Sequence, residues 1–164
     1  ADKQKVSKQV ALAAIKYFDL SHNRSTEIVF TWDKALSFDG NTGPYLQYTH
    51  ARIQGIFRKM GEDMASVKGA EFTGELAAQE TAVLRKIQQF AEIIESASEQ
   101  YLPNIICNYL FELAQSFNAF YQEIPILKEE NEHKRLMRLN LIKATAQVLK
   151  NGLDLLGIEA PEEM

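Results

Sequence analysis

The chain has 164 residues, of which 46% are apolar and 24% charged, and this composition excludes a disordered chain and predicts one globular domain, or one domain with an appendage. No stretch approaches 18 consecutive apolar residues and Cys107 is the only cysteine, which excludes an intrachain disulfide and favours a cytoplasmic protein without a membrane-spanning segment. The net charge of −4 argues against a protein that coats nucleic acid, although one local patch could still bind it.

The first 43 residues predict a helix, a strand and a loop. Residues 3–18 repeat apolar side chains at helical spacing. Residues 27–32 (EIVFTW) are rich in β-branched and aromatic types, which favour a strand, and residues 38–43 (FDGNTG) have the composition of a loop. We interpret residues 1–43 as the end of a neighbouring unit rather than as a domain of their own.

Residues 44–164 predict about four amphipathic helices with short links. Pro44 suits the first turn of a helix that extends to about residue 60, and residues 61–74 form a connector with three glycines. Three further helices are predicted at 75–97, 103–123 and 133–156, the last of them ended by Gly157. Such helices bury their apolar stripes against each other, so the predicted fold class is all-α, a helical bundle with a short helix–strand segment at the N-terminus.

A search for catalytic chemistry finds no site. The glycine-rich phosphate-binding motifs are absent, and the three histidines lack the spacing of metal ligands. Cys107 lies in an apolar helical stretch, which predicts a small buried side chain. The acidic run at residues 129–132 predicts a solvated turn rather than a carboxylate pair for acid–base catalysis. We therefore expect no catalytic residue, no metal and no cofactor in this chain.

The helix at residues 44–60 carries a second stripe beside its core face. This stripe combines two aromatic rings, two basic side chains and a glycine: Tyr45, Tyr48, Arg52, Gly55 and Lys59. Unpaired bases stack on tyrosine rings and on guanidinium planes, and basic side chains contact phosphates. The stripe indicates contact with nucleic acid, and the alternative is that both tyrosines border the core with their hydroxyl groups in water.

Two further helices carry candidate contacts. In the helix at 103–123, Asn118 suits the reading of a base edge and Tyr121 suits stacking, unless this helix is buried on two sides. In the last helix, Arg135 and Arg138 lie near the N-terminus, where the helix dipole disfavours cations. These two arginines are weak candidates for phosphate contacts, as is Lys59, and the alternative is ordinary surface charge.

Four ordered blocks of the chain resemble arginyl-tRNA synthetases. They are residues 14–36 (AIKYFDLSHNRSTEIVFTWDKAL), 40–53 (GNTGPYLQYTHARI), 107–121 (CNYLFELAQSFNAFY) and 144–164 (ATAQVLKNGLDLLGIEAPEEM). The resemblance implies a class I synthetase that attaches arginine to its tRNA, with ATP, magnesium and arginine used by the parent enzyme. It also implies that residues 44–164 are the helical anticodon-binding domain and residues 1–43 the end of the catalytic region. The ATP-binding signatures of the family do not occur here, so we expect the fragment to be inactive alone.

The resemblance also implies which residues contact the anticodon loop. The aromatic and arginine positions of the PYLQYxHxR motif are Tyr45, Tyr48 and Arg52, and the family's other two contact positions correspond to Tyr121 and Met164. Asn118 is added because it lies one turn before Tyr121. The expected partners are arginine tRNA and the catalytic domain of the same enzyme, with no DNA.

Two other functions stay open at this point. One is a helical protein-interaction module whose partner binds the region at residues 62–132. This region is acidic overall, with thirteen acidic and four basic side chains. The other is the anticodon domain of a class I synthetase with a different amino-acid specificity, against which the GNTGPYLQY block argues.

Overall fold

The computed structural model describes residues 2–61, 64, 67, 69 and 74–164. Within them the chain forms seven α-helices and no strand, so the predicted all-α class is confirmed. The helices are α1 (Lys3–Leu20), α2 (Trp32–Ala35), α3 (Gly43–Met60), α4 (Ala78–Gln88), α5 (Phe90–Gln100), α6 (Pro103–Glu123) and α7 (Glu132–Leu155). No helix in this part of the chain is long and apolar enough to cross a lipid bilayer.

The central helix is α6, which contacts α1, α3, α4, α5 and α7. Its predicted apolar stripe is buried, and so is the stripe of the last helix. Helix α7 approaches α6 so closely that a Cβ atom added to Gly152 would meet the Leu110 side chain at 2.5 Å. The buried positions of the two stripes are Ile106, Leu110, Leu113, Phe117 and Phe120, and Leu139, Ile142, Ala146, Leu149, Leu153 and Leu156.

Local sequence signals set both ends of α3. The Thr42 side chain accepts a hydrogen bond from the Tyr45 amide at 3.2 Å, and Pro44 occupies the first turn. Gly61 ends the helix in the left-handed region at φ +69°, which glycine adopts without a steric penalty. Gly157, predicted to stop the last helix, likewise has φ +66° just after α7. The stripe of α3 that contains Tyr48 and Arg52 therefore lies on a helix with defined ends.

The predicted strand at residues 27–32 is wrong. Residues 27–30 have no regular secondary structure, and Trp32 begins α2. A strand needs a partner to pair its backbone groups, and no described segment offers one. Of the aromatic side chains that suggested a strand, Phe30 packs on α1 with its ring edge-on to Phe18 at 5.1 Å, and the Trp32 ring lies edge-on to Phe30 at 5.0 Å.

The predicted helix at 75–97 is two helices, so the part after residue 43 holds five helices rather than four in the described residues. Helix α4 ends at Gln88 and α5 starts at Phe90. At this junction the Tyr109 hydroxyl donates to the carbonyl oxygen of Lys86 at 2.7 Å, and the Phe90 ring stacks on Tyr109. The break coincides with these contacts from α6, and no glycine or proline marks it in the sequence. Most of the predicted connector at 61–74 lies outside the described residues.

The N-terminal segment packs on the bundle. Tyr17 of α1 is fully buried, and its hydroxyl donates to the carbonyl oxygen of Cys107 at 2.8 Å. Burial raises the pKa of Tyr17, so the hydroxyl keeps its proton. Gly43 permits the close contact of α1 with α3, since an added Cβ would lie 2.6 Å from the Ala13 carbonyl oxygen. The segment thus shares the core, and a domain boundary at residue 43 stays a prediction.

Candidate nucleic-acid interface

The polar and aromatic stripe of α3 meets the C-terminal half of α6. The Asn118 side chain lies between two residues of the stripe: its Nδ2 donates to the Tyr45 hydroxyl at 2.8 Å, and its Oδ1 accepts from Nη1 of Arg52 at 2.9 Å. The Tyr121 ring lies one turn further along α6 and near the same guanidinium. Packing of the two core stripes therefore brings together candidates that the sequence placed on separate helices.

The guanidinium of Arg52 is the centre of this cluster. Its Nη2 donates to the Tyr48 hydroxyl at 3.2 Å, and its Cζ lies 4.8 Å from the centroid of the Tyr48 ring and 5.9 Å from that of Tyr121. Both distances are within the range of cation–π attraction. Since hydrogen bonds and ring contacts hold Arg52 from several directions, its charge has one defined position beside two aromatic rings.

The two tyrosines of the stripe have different environments. Tyr45 is half-buried with its ring against Phe111 at 5.6 Å, so it borders the core, and its hydroxyl group accepts the hydrogen bond from Asn118. Tyr48 is 41% exposed and Tyr121 is 36% exposed. The Tyr121 ring stacks on the buried Phe117 at 5.9 Å, which supports it from below. Tyr48 and Tyr121 are therefore the rings that a ligand can reach.

A cleft of about 300 Å³ lies between these rings. This volume is at the lower end of the range for small-molecule pockets and suits one flat ring system rather than an extended ligand. Gly55 forms part of the wall, where the missing side chain lets a ligand approach the helix backbone. The lining residues are Tyr48, Ala51, Arg52, Gly55, Ile56, Arg58, Lys59, Tyr121 and Met164.

The C-terminal tail reaches the cleft because α3 binds its backbone. His50 is buried at 2% exposure, and its Nδ1 lies 3.0 Å from the carbonyl oxygen of Pro161. Burial lowers the pKa of His50, so the ring is neutral and Nδ1 carries the donated proton. Arg58 donates to the carbonyl oxygen of Glu162 at 2.8 Å and pairs with the Glu163 carboxylate at 3.4 Å. These contacts place Met164 in the cleft wall.

Arg58 is a residue that the sequence analysis missed. It lies outside the stripe of α3, and its two tail partners are 104 and 105 positions away in the chain. The acidic ending EEM beside a basic stretch at 58–59 is a charge signal that could have suggested the pairing. The pairing also offsets one acidic charge at the edge of the cleft.

A second hollow of about 500 Å³ adjoins the cleft and shares Lys59 with it. Arg135 of α7 lies in the same hollow and is exposed, and Glu132 contributes one acidic side chain. Two of the three predicted phosphate contacts therefore lie on one surface next to the cleft. The hollow is lined by Lys59, Met60, Leu127, Glu132, Arg135, Leu136 and Leu139.

Arg138 does not belong to this surface, which corrects the prediction that it contacts phosphate. Its side chain is 4% exposed, and its guanidinium donates to the Glu80 carboxylate at 2.6 Å, the Glu129 carboxylate at 2.5 Å and the Pro125 carbonyl oxygen at 2.7 Å. Glu80 is fully buried and also accepts the Ala77 amide at 2.7 Å. Arg138 thus neutralises a buried carboxylate and ties α7 to α4.

The acidic turn has more structure than the sequence predicted. Glu129 accepts a hydrogen bond from the Asn131 amide at 3.1 Å, and this bond together with Arg138 lowers the pKa of its carboxyl group.

Cys107 is fully buried, as predicted, and burial raises the pKa of its thiol to about 12. Among the described residues, no group of three or more His, Cys, Asp or Glu side chains could hold a metal ion.

Fold and site together define the class of protein. Residues 46–164 match the sequence profile of the DALR anticodon binding domain, and the chain belongs to that family. Its cluster of two reachable tyrosines, an oriented arginine and a small cleft lies within the matched residues.

Arginine–tRNA ligases are among the proteins similar to this chain, which confirms the resemblance seen in the sequence. The ligase of Vibrio parahaemolyticus is 46% identical over 164 residues, which are 99% of this chain and 28% of that protein. The ligase of Prochlorococcus marinus is 47% identical over 161 residues, 98% of this chain and 26% of that protein. The chain spans less than a third of the length of these relatives.

Solved structures agree with the sequence relatives. The Thermus thermophilus arginyl-tRNA synthetase superposes with a TM-score of 0.91 at 37% identity, covering 100% of this chain and 28% of that one. The Plasmodium falciparum enzyme superposes with a TM-score of 0.86 at 30% identity, covering 100% of this chain and 29% of that one. The helical arrangement described above is therefore shared with these enzymes.

Proposed function

We propose that this chain binds the anticodon loop of arginine tRNA, as the anticodon-recognition part of an arginine–tRNA ligase. The observation that supports this most directly is the Arg52 guanidinium, held beside the exposed rings of Tyr48 and Tyr121 at a cleft of nucleobase size. Membership of an anticodon-binding family and similarity to arginine–tRNA ligases support the choice of arginine tRNA.

In this proposal an unstacked anticodon base enters the cleft. RNA loops are recognised mainly by bases that leave the stack and contact aromatic and guanidinium planes. Arg52 carries five N–H donors, of which two bond to Asn118 and Tyr48, so others remain for the acceptors of a base edge. Met164 closes one wall of the cleft and contributes apolar contact with the base.

Asn118 acts here by orienting Arg52 rather than by reading a base edge. One of its donors and its acceptor already bond to Tyr45 and Arg52 within the protein. A guanidinium that is already oriented loses less conformational entropy when it binds. Asn118 is therefore a positioning residue, and its contribution to binding depends on the presence of Arg52.

Phosphates of the loop are proposed to follow the second hollow. Lys59 lies between the cleft and this hollow, and Arg135 lies within it. The acidic charge of the rest of the chain makes such local contacts necessary for RNA binding.

The remaining steps belong to the parent enzyme. We propose that the parent is cytoplasmic and uses ATP with magnesium to charge tRNA with arginine in its catalytic domain. On this proposal the present chain catalyses no reaction by itself and binds no cofactor. Its contribution is to hold the anticodon so that the acceptor end reaches the catalytic domain.

A fluorescence titration at low salt tests the proposal. Two labelled RNA hairpins are compared, the anticodon stem-loop of arginine tRNA and one that differs only in its middle anticodon base. We expect tighter binding to the first, and we expect Arg52→Gln to remove most of the difference. Loss of one hydrogen-bonded charge costs about 1.5–3 kcal/mol, which is roughly a 10- to 150-fold loss of affinity. Arg85→Gln on α4 is the matched control, because it removes the same charge outside the cleft.

Asn118→Leu tests the positioning role in the same assay. We expect weaker discrimination in this variant, and no further loss when it is combined with Arg52→Gln, because both changes remove one interaction. Fully additive losses would contradict the positioning role.

Equal binding of both hairpins would mean that the chain binds RNA only through attraction to its phosphates and does not read the middle anticodon base. Absence of binding to either would favour the protein-interaction alternative, whereas preference for a hairpin of another tRNA would favour a synthetase of different specificity.

A further inference from the structure

The loop between α2 and α3 places Phe38 beside Tyr48, one of the residues that line the cleft. The Phe38 side chain is 50% exposed, and its ring centroid lies 6.1 Å from that of Tyr48 at an interplanar angle of 80°. In the sequence Phe38 is only the first residue of a glycine-rich loop. Its position beside a ring of the proposed binding cluster arises from the turn that leads into α3.

Hydrogen bonds hold this loop in place. The Thr42 hydroxyl donates to the carbonyl oxygen of Ser37 at 2.6 Å and accepts the Tyr45 amide at the start of α3. The Ser37 side chain bonds to both the amide and the carbonyl group of Asp39 at 3.0 Å. Phe38 lies between the bonded residues, so its ring is presented to solvent by a defined backbone rather than by a free segment.

The rings of Tyr48 and Phe38 present different surfaces. Part of the Tyr48 ring is covered by the Arg52 guanidinium, which reduces the area left for a base. Phe38 has no charged group over its ring among the described contacts, and half of its surface is open. Since the two rings are nearly perpendicular, neighbouring bases that contact them cannot stay stacked on each other. This is the arrangement in which proteins bind single-stranded loops.

We infer that Phe38 stacks on the base of the nucleotide next to the one held in the cleft. This inference rests on the proposed binding of the anticodon loop. Stacking on an aromatic face tolerates any base, so Phe38 contributes affinity and no discrimination. Arg52 and Phe38 therefore differ in what they contribute, the first to specificity and the second to affinity.

The experiment uses the same two hairpins, with 2-aminopurine at the position beside the middle anticodon base. Fluorescence of this base analogue falls when an aromatic ring stacks on it. We expect Phe38→Ala to weaken binding of both hairpins by the same factor, about 5-fold or more, and to abolish the fall in fluorescence. Phe38→Trp is expected to retain both. Trp32→Ala is the matched control, because it removes an exposed aromatic ring that packs edge-on against Phe30.

Phe38→Leu separates stacking from simple support of Tyr48. Leucine keeps apolar contact with Tyr48 but has no aromatic face, so we expect it to behave like alanine. Full affinity of Phe38→Leu, or unchanged affinity of Phe38→Ala while Arg52→Gln still loses discrimination, would overturn the inference and leave the proposed function standing. Unchanged binding in both the Phe38 and the Arg52 variants would instead refute the proposed function. Circular dichroism of each variant checks that the helices are intact.

Discussion

Replacing Arg138 with methionine separates a structural role from a role in RNA binding. Methionine keeps much of the aliphatic volume of the side chain but removes the guanidinium, so the buried Glu80 carboxylate loses its cation and retains the Ala77 amide. Breaking a buried ion pair at one partner costs about 3–5 kcal/mol. A domain of this size has a total stability of about 5–15 kcal/mol, so this variant loses a large part of it. We expect its Tm to fall by about 6–20 °C.

The measurement is urea unfolding followed by helical circular dichroism, together with RNA titration under conditions where the variant is folded. Arg135→Gln is the control on the same helix, three residues away. We expect it to leave the urea midpoint unchanged and to weaken RNA binding. The slope of log K against log salt concentration should become shallower by about 0.7, for one lost phosphate contact. The Arg138→Met variant should show the opposite pattern, with a lower midpoint and unchanged affinity.

A second variant tests the reason for the loss. Combining Glu80→Gln with Arg138→Met removes both charges of the buried pair, and Glu129, whose side chain is 19% exposed, retains the Asn131 amide. We expect the double variant to be about 1–3 kcal/mol more stable than the sum of the single changes predicts. A normal urea midpoint for Arg138→Met, or a loss of RNA affinity in the folded variant, would refute the structural role.

Three further predictions concern packing and titration. Gly43→Ala is expected to destabilise the fold by about 1–3 kcal/mol in urea unfolding, because its Cβ would lie 2.6 Å from the Ala13 carbonyl oxygen. Gly55→Ala should instead stabilise the fold by about 0.5–1 kcal/mol, because the atom nearest to its Cβ would be 3.6 Å away. Because burial lowers the pKa of His50, the unfolded chain takes up a proton on this residue at a higher pH than the folded protein does. The free energy of unfolding should therefore decrease as the pH falls below about 6.5, by at most about 1.4 kcal/mol per pH unit. His50→Gln should remove this pH dependence. Cys107, buried and with a thiol pKa of about 12, should resist alkylation in the folded protein and react fully in denaturant; equal rates in both would contradict its burial.

The helical stripes could be predicted because they depend on local periodicity. Apolar residues three and four positions apart lie on one face of a helix whatever the rest of the chain does. The same rule found the stripe of Tyr48 and Arg52, and four blocks of residues pointed to the family. In α7 a similar signal was available for Arg138, which lies four residues before Ile142 and seven before Thr145, both buried. Because Arg138 is charged, it was assigned to the surface, although its spacing places it on the buried face of α7.

Other features depend on residues that are distant in the sequence, and only the tertiary structure decided them. Arg138 pairs with Glu80 across 58 positions, and Arg58 binds the tail across 104. The hydroxyl of Tyr109 bonds to Lys86 just before the break between α4 and α5, and the loop before α3 packs Phe38 beside Tyr48. The sequence by itself determined α1, α3, α6 and α7, the buried faces of the last three, and the family. Which charges point inward, and which rings meet at the cleft, follow from the way the helices pack, because those contacts join segments that no local pattern relates.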